Sequence, residues 1–211
     1  MLSRPRVALA AGAHDALSAK LAEEAGFDAV WASGFGISAV QAVPDANILT
    51  LTETLDAVRR MADAVEIPVI ADCDNGYGNA INVMRTVAEF ERAGAAGICI
   101  EDNEFPKRCS FYAGVRRDLV PAEEHARKIE AAVSARRDRA FAVIARTEAL
   151  ICGLGLEEAL ARASAYAAAG ADAVLVGEGL VTAGDARQAV ANDAERLRQL
   201  NEGLKTLGLD G

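Results

Sequence analysis

The sequence predicts an α/β chain of the (βα)8 barrel type, incomplete at its C-terminal end. Three observations carry that prediction. A phrase recurs: AGFDAVWASG begins at Ala25, AGAAGICIED at Ala93 and AGADAVLVGE at Ala169. Each copy ends an Ala-rich helix at Gly, takes a short polar step and runs into a strand, and the Gly supplies the left-handed cap that other residues avoid. The strands AVWAS, GICIE and AVLVG are apolar without alternation, as in a parallel sheet covered on both faces. Strand and helix alternate at roughly 33 residues, the period of a βα unit.

Taken in order, the strands are VALAAG near residue 7, AVWAS near 29, IPVIADCD near 67, GICIE near 97, FAVIART near 141 and AVLVG near 173. Helices are expected over 16–25, 52–65, 80–93, 121–135 and 156–169, with Thr52 and nearby Asp56 as one cap. The stretch WASGFGISAVQAVPDAN reads as a strand end followed by a loop. Right-handed connections place every strand's C-terminal end on one side. An open doubly wound sheet is the rival closure. No GxGxxG or GxxxxGK[ST] follows the first strand, however, and polar residues stand at the ends of several strands, which is the barrel habit. Eight such units need about 260 residues, and six are legible. Residues 178–211 read as helix and tail, with no seventh or eighth strand, inside one domain spanning 1–211.

With 52% apolar residues in 211, the chain has ample material for a core. Lys plus Arg is 22 against 31 Asp plus Glu, a formal charge of −9. That balance repels phosphate polymers and anionic lipid, so neither nucleic acid nor a membrane surface is an expected partner. No apolar run reaches the roughly 18 residues of a membrane span. The four cysteines, Cys73, Cys99, Cys109 and Cys152, form no CxxC pair and are too sparse for a disulfide scaffold. A reducing, cytoplasmic setting fits them.

Chemistry gathers at the strand ends. In ADCDNGYGN, Asp72 and Asp74 close a buried strand before a Gly-rich turn. Residues two apart on a strand share a face, and a divalent cation such as Mg2+, which prefers oxygen ligands, would relieve their repulsion. In IEDNEFPKRCSFY, Glu101 and Asp102 end another strand and lead into a loop with Lys107, Arg108, Cys109 and Ser110. Arg146 stands in VIARTEA beside Glu148, while Ser33 and Gly34 end the second strand and Asp45 follows in a loop. Acids Asp45, Asp72, Asp74 and Glu101 thus meet Lys107 and Arg146 at one rim, an arrangement for a metal and a small anionic substrate. Blander alternatives stand beside each. Glu101 can cap the next helix, Arg146 can form a structural ion pair with Glu148, and Lys107 and Arg108 can be solvated. Cys109 is either an acid or nucleophile with a lowered pKa, or inert. His14 is given a structural role, His125 a surface position, and Cys73, Cys99 and Cys152 places as small core residues.

The motifs WASG, AVPDANIL, ADCDNGYGN, EDNEFPKRCS and IARTEAL with GLGLEEAL resemble the phosphoenolpyruvate mutase and isocitrate lyase superfamily over roughly residues 4–176. The resemblance implies a modified barrel acting on a Mg2+-bound α-keto acid or enolate. It implies that Asp72 ligates Mg2+ and that Asp74, Glu101 and Asp45 hold its waters. Ser33 with the Gly34 and Phe35 amides would bind the pyruvyl carboxylate. Arg146 and the loop from Lys107 to Ser110 would grip the transferred group, with the loop as a lid.

The phosphonate-type FPK implies phosphoenolpyruvate mutase activity first and phosphonopyruvate hydrolase activity second. KRC is shared with the carbon–carbon lyases, in which Cys is the proton donor, but Ser110 and Phe111 replace their Gly-His. Gly177 and Glu178 stand where the phosphonate branch carries His-Ser. A lyase acting on a 2-hydroxy or 2-methyl dicarboxylate, or a degenerate barrel that only binds a keto acid, are the further readings. The amphipathic ERLRQLNEGLKTL suits either a covering helix or exchange within a homo-oligomer.

Overall fold

A computed structural model describes residues 8–109, 116–176 and 179–182. The order is β1 (Ala10–Ala13), α1 (Ala16–Glu24), β2 (Ala29–Ala32), α2 (Gly34–Val40), α3 (Leu51–Ala64), β3 (Val69–Asp72), α4 (Ala80–Arg92), β4 (Gly97–Glu101), α5 (Ala122–Ala135), β5 (Ala142–Thr147), α6 (Gly155–Ala168), β6 (Ala173–Val176) and β7 (Gly179–Thr182). Strands β1 to β6 pair in sequence order, all parallel, forming a curled half-barrel, and β7 adds antiparallel to β6. Among the described residues nothing joins β1 to β7. β7 corrects the expectation of a helical tail from residue 178: its first four described residues extend the sheet, and the remainder of that tail lies outside the described residues.

The five expected helices are present within a residue or two at each end. Side-chain caps start several of them: Asp15 with Ser18 for α1, Thr50 with Glu53 for α3 and Asn79 with Asn82 for α4. Thr50, not Thr52, therefore caps α3. Helix α2 is not among the expected helices, because Gly34 and Gly36 in a seven-residue segment erase the apolar period. Ser33 starts it, its Oγ accepting from Gly36 N at 3.1 Å. The glycines after α1, α4 and α6 are left-handed as expected, at φ 84° for Gly26, 88° for Gly94 and 98° for Gly170.

The strands carry two apolar layers of opposite parity. Val30, Val69, Ile98, Val143 and Val174 face the helices and join their buried sides in the main core. Trp31, Ile70, Cys99, Ile144 and Leu175 face inward and form a second, smaller cluster. Two residues further along the inner face stand Ser33, Asp72, Glu101 and Arg146, so the period of two that builds the inner core also delivers the polar groups to its open end. The strand register sets their spacing: Glu101 pairs laterally with Arg146, and Arg146 with Leu175.

Candidate active site

At the C-terminal ends of the strands lies a cavity of about 760 Å³, lined by Ser33, Asp45, Asp72, Glu101, Lys107 and Arg146 among others. On one side sit the carboxylates of Asp72, Asp74 and Glu101, with one ligand atom of each lying within 4.8 Å of the other two. Such a hard, all-oxygen donor set at this spacing fits a divalent cation of the Mg2+ type. Asp72 ends β3. Asp74 sits in the following turn with a left-handed φ of 49°, a conformation Asp tolerates better than most residues. Gly34 lies close against this cluster: a Cβ there would sit 3.3 Å from Asp72 Oδ2 and 3.4 Å from Asp74 Oδ1, a tight fit that the carboxylates would have to accommodate. Its N–H points at Asp72 Oδ2, 3.4 Å away.

Lys107 is buried, not solvated. Its Nζ lies 2.5 Å from Asp74 Oδ1, 3.0 Å from Asp45 Oδ1 and 3.4 Å from Glu101 Oε1. Burial works against the ammonium, but Glu101, Asp72, Asp74 and Asp45 outweigh it and hold the Lys107 pKa above the ordinary lysine value. Asp74 is pushed up to about 7, by burial first and then by its Asp72 and Glu101 neighbours, against the pull of Lys107.

Beside Glu101, Arg146 extends from β5, with Nη2 2.5 Å from Glu148 Oε1 and Nε 3.5 Å from Glu101 Oε2. The ion pair with Glu148 is therefore real, and the guanidinium lines the cavity as well. Glu101 does not cap a helix: the next one, α5, begins at Ala122 with Pro121 at its N-cap.

The loop bearing Lys107 leaves β4 through a narrow stem. Asn103 bridges antiparallel to Leu119, and Glu104 N donates to Asp118 O at 3.1 Å. Cys109 lines the cavity and is buried, with its carbonyl accepting from Arg117 Nη2 at 2.8 Å. Phe35 lines the mouth and is exposed. Ser110 lies outside the described residues. Cys73 and Cys99 are buried and Cys152 partly so, in keeping with packing roles. His14 is half-exposed beside Asp15.

His125 is a correction: it lies wholly buried in α5, edge-on to Tyr166 at 4.6 Å between ring centroids. Its cover comes from segments distant in sequence, including Tyr166 on α6 and Ile100 on β4.

Two contributors carry no assigned role in the sequence. Asp102, fully buried, accepts from Thr147 Oγ1 (2.8 Å), Glu148 N (2.9 Å), Arg162 Nη1 (3.1 Å) and Tyr166 Oη (2.7 Å). It ties α6 to the ends of β4 and β5, and so supports both Glu101 and Glu148. Asn47, in the AVPDANIL motif, reaches across to Asp74 and Lys107. The signal for Asn47 was present, since Asn both accepts a left-handed backbone and offers a donor with an acceptor.

A curled parallel sheet with helices outside and an oxygen-rich cation cluster beside an arginine defines a barrel-type α/β protein with its site at the strand C-termini. The chain belongs to the phosphoenolpyruvate phosphomutase family, whose model matches residues 1–201, within the PEP mutase/isocitrate lyase superfamily. It is 53% identical over 175 residues to a phosphonopyruvate hydrolase of Variovorax sp. (strain Pal2), covering 83% of this chain and 60% of that protein. It is similar to the structure of a phosphoenolpyruvate phosphomutase from Streptomyces platensis subsp. rosaceus, with a TM-score of 0.81, 56% identity and coverage of 83% and 61%. A phosphonopyruvate hydrolase in complex with oxalate and Mg2+ matches with a TM-score of 0.76, 52% identity and coverage of 82% and 58%. Other relatives are named 2,3-dimethylmalate lyase and 2-methylisocitrate lyase. The chain thus spans about three-fifths of the length of these relatives. Among the described residues no helix is long and apolar enough to cross a membrane.

Proposed function

We propose that this chain is a Mg2+-dependent phosphoenolpyruvate mutase, interconverting phosphoenolpyruvate and phosphonopyruvate. The observation that carries the reading is the meeting, at one cavity, of the Asp72, Asp74 and Glu101 carboxylates with the Arg146 guanidinium, whose Nε lies 3.5 Å from Glu101 Oε2. The three carboxylates, with Asp45 behind them, would hold the cation, which when bound supplies positive charge to the keto or enolate oxygen. Ser33 uses its Oγ to accept from Gly36 N, which leaves its hydroxyl proton to donate to the pyruvyl carboxylate beside the Gly34 and Phe35 amides. Arg146, held in plane by Glu148, presents its remaining N–H groups to the phosphoryl oxygens. Lys107, Arg108 and Cys109 wall the cavity and help exclude water while the transferring group is between partners.

In the isomerisation the C–P bond breaks and the phosphoryl group passes to the enolate oxygen, with no atom gained or lost. The second reading is hydrolysis, favoured by the 53% identity to the Variovorax enzyme. There water takes the phosphoryl group and the enolate carbon takes a proton, giving pyruvate and phosphate. A reducing, cytoplasmic setting belongs to either reading, since none of the four cysteines is in a disulfide.

The test is ³¹P NMR of phosphonopyruvate with the protein and Mg2+. A phosphoenolpyruvate resonance is expected. Phosphate appearing without it would favour hydrolysis, and an unchanged spectrum would overturn both readings.

A further inference from the structure

Asn47 lies in the loop between α2 and α3, outside the cavity lining, yet its carboxamide bridges three segments of the chain. Its Nδ2 donates to Asp74 Oδ2 at 3.0 Å. Its Oδ1 accepts from the backbone N–H of Lys107 at 2.6 Å and from Asn75 Nδ2 at 3.3 Å. The orientation of the amide follows from chemistry alone. A carboxylate needs a donor and a backbone N–H needs an acceptor, so only one assignment of the amide satisfies both partners. The backbone of Asn47 is left-handed, with φ at 55°, a conformation in which Asn and Gly are favoured.

We infer that Asn47 is a positioning residue that latches the backbone at Lys107 to the acidic cluster. It fixes the Lys107 backbone by one end of its amide and the Asp74 carboxylate by the other. The Lys107 ammonium is thereby delivered among Asp45, Asp74 and Glu101 without any cavity-lining contact from Asn47 itself. No other standard side chain performs both tasks at this site. Asp would offer the acceptor but repel Asp74, Gln would be a methylene too long, and an aliphatic residue would leave Asp74 and the Lys107 N–H each short of a partner. The role deepens the proposed keto-acid reading, but its central measurement does not depend on that reading.

The experiment compares Asn47→Gly, which keeps the left-handed backbone and deletes the amide, with Asn47→Asp, which keeps the acceptor and deletes the donor. Amide hydrogen exchange is followed residue by residue in the full chain without substrate. Asn47→Gly is expected to speed exchange of the Lys107 amide about tenfold, on the scale of one lost hydrogen bond, while amides of β3 and α3 hold their rates. Asn47→Asp is expected to keep the Lys107 amide protected but to weaken Mg2+ binding or shift its pH dependence, because Asp74 has lost a donor and gained a like-charged neighbour.

With phosphonopyruvate as substrate, Asn47→Gly is expected to lower kcat more than it raises KM, since the latch positions Lys107 and does not line the cavity. Unchanged Lys107 exchange in Asn47→Gly overturns the proposal, as does a uniform rise across the chain, which would mark a general stability role. If phosphonopyruvate is not turned over at all, the functional reading fails, while the exchange result still decides the latch.

Discussion

Lys107 Nζ stands 2.5 Å from Asp74 Oδ1, so an ammonium ion already occupies the edge of the cluster that fits a divalent cation. Protein and metal charge therefore compete for the same oxygens. Lys107→Met should tighten Mg2+ binding, roughly tenfold, because one positive charge a few ångströms away is removed. Turnover of phosphonopyruvate should fall in the same variant. Calorimetric titration with Mg2+ checks this, and an unchanged or weaker affinity would contradict it.

Burial and the neighbouring carboxylates raise Asp74 to about 7, so a proton competes with any cation for this side chain. Below that value Asp74 is protonated and is a poor ligand. Mg2+ affinity should therefore drop as pH falls from 8 towards 6, by about tenfold per unit at the steepest, and level off above 8. Mn2+ binding followed by electron paramagnetic resonance across this range reads the slope directly.

Arg146 uses one edge of its guanidinium on Glu148 and turns the rest toward the cavity. A lysine keeps the charge but loses the planar fork. Arg146→Lys should lower kcat/KM for phosphonopyruvate by about a hundredfold, with Mg2+ affinity altered little. Steady-state kinetics beside a Mg2+ titration separates the two effects.

Asp102 accepts four hydrogen bonds and pairs with Arg162 while fully buried. Truncating it leaves the Tyr166 hydroxyl, the Thr147 hydroxyl and the Glu148 N–H without this acceptor and removes the buried counter-charge of Arg162, which keeps Glu158 and the Val120 carbonyl. Asp102→Ala should cost about 3–5 kcal/mol of stability, the scale of breaking a buried ion pair. Urea unfolding of the variant beside the parent chain measures it.

Burial pushes His125 down to about 4, with Asp102 the chief opposing influence. The folded state then binds fewer protons than the unfolded state between pH 4 and 6.5. Stability from the neutral ring is full above pH 6.5 and is lost as pH falls toward 4. The stability difference between the parent chain and His125→Leu should shrink by roughly 3 kcal/mol on going from pH 7 to pH 4. Denaturant unfolding at the two pH values tests this, and a parallel shift at both would contradict it.

Much of this molecule is legible in the sequence for a local reason. The three Ala-Gly phrases mark helix end, left-handed glycine and strand start within ten residues, and the structure places Gly26, Gly94 and Gly170 in that conformation. Asp72, Glu101 and Arg146 were legible too, because strand parity sends residues two apart to one face and all parallel strands end on one side, whereas Asp74 joins them from the turn after β3 and Asp45 from a loop. Helix α2 was not, since its two glycines carry no apolar period and only the Ser33 cap holds its start.

What lay beyond local reading was pairing at a distance. Whether Lys107 is solvated or buried depends on Asp45, Asp74 and Glu101, each drawn from a different segment of the chain. Whether His125 faces water depends on α6 and β4, and whether Asn47 is a loop residue or a latch depends on a turn 27 residues away and a backbone N–H 60 residues away. Sequence period determines which face a side chain takes. Only the curl of the sheet and the packing of loops over it decide which charges meet, because electrostatic contact is a property of distance in space and not of spacing along the chain.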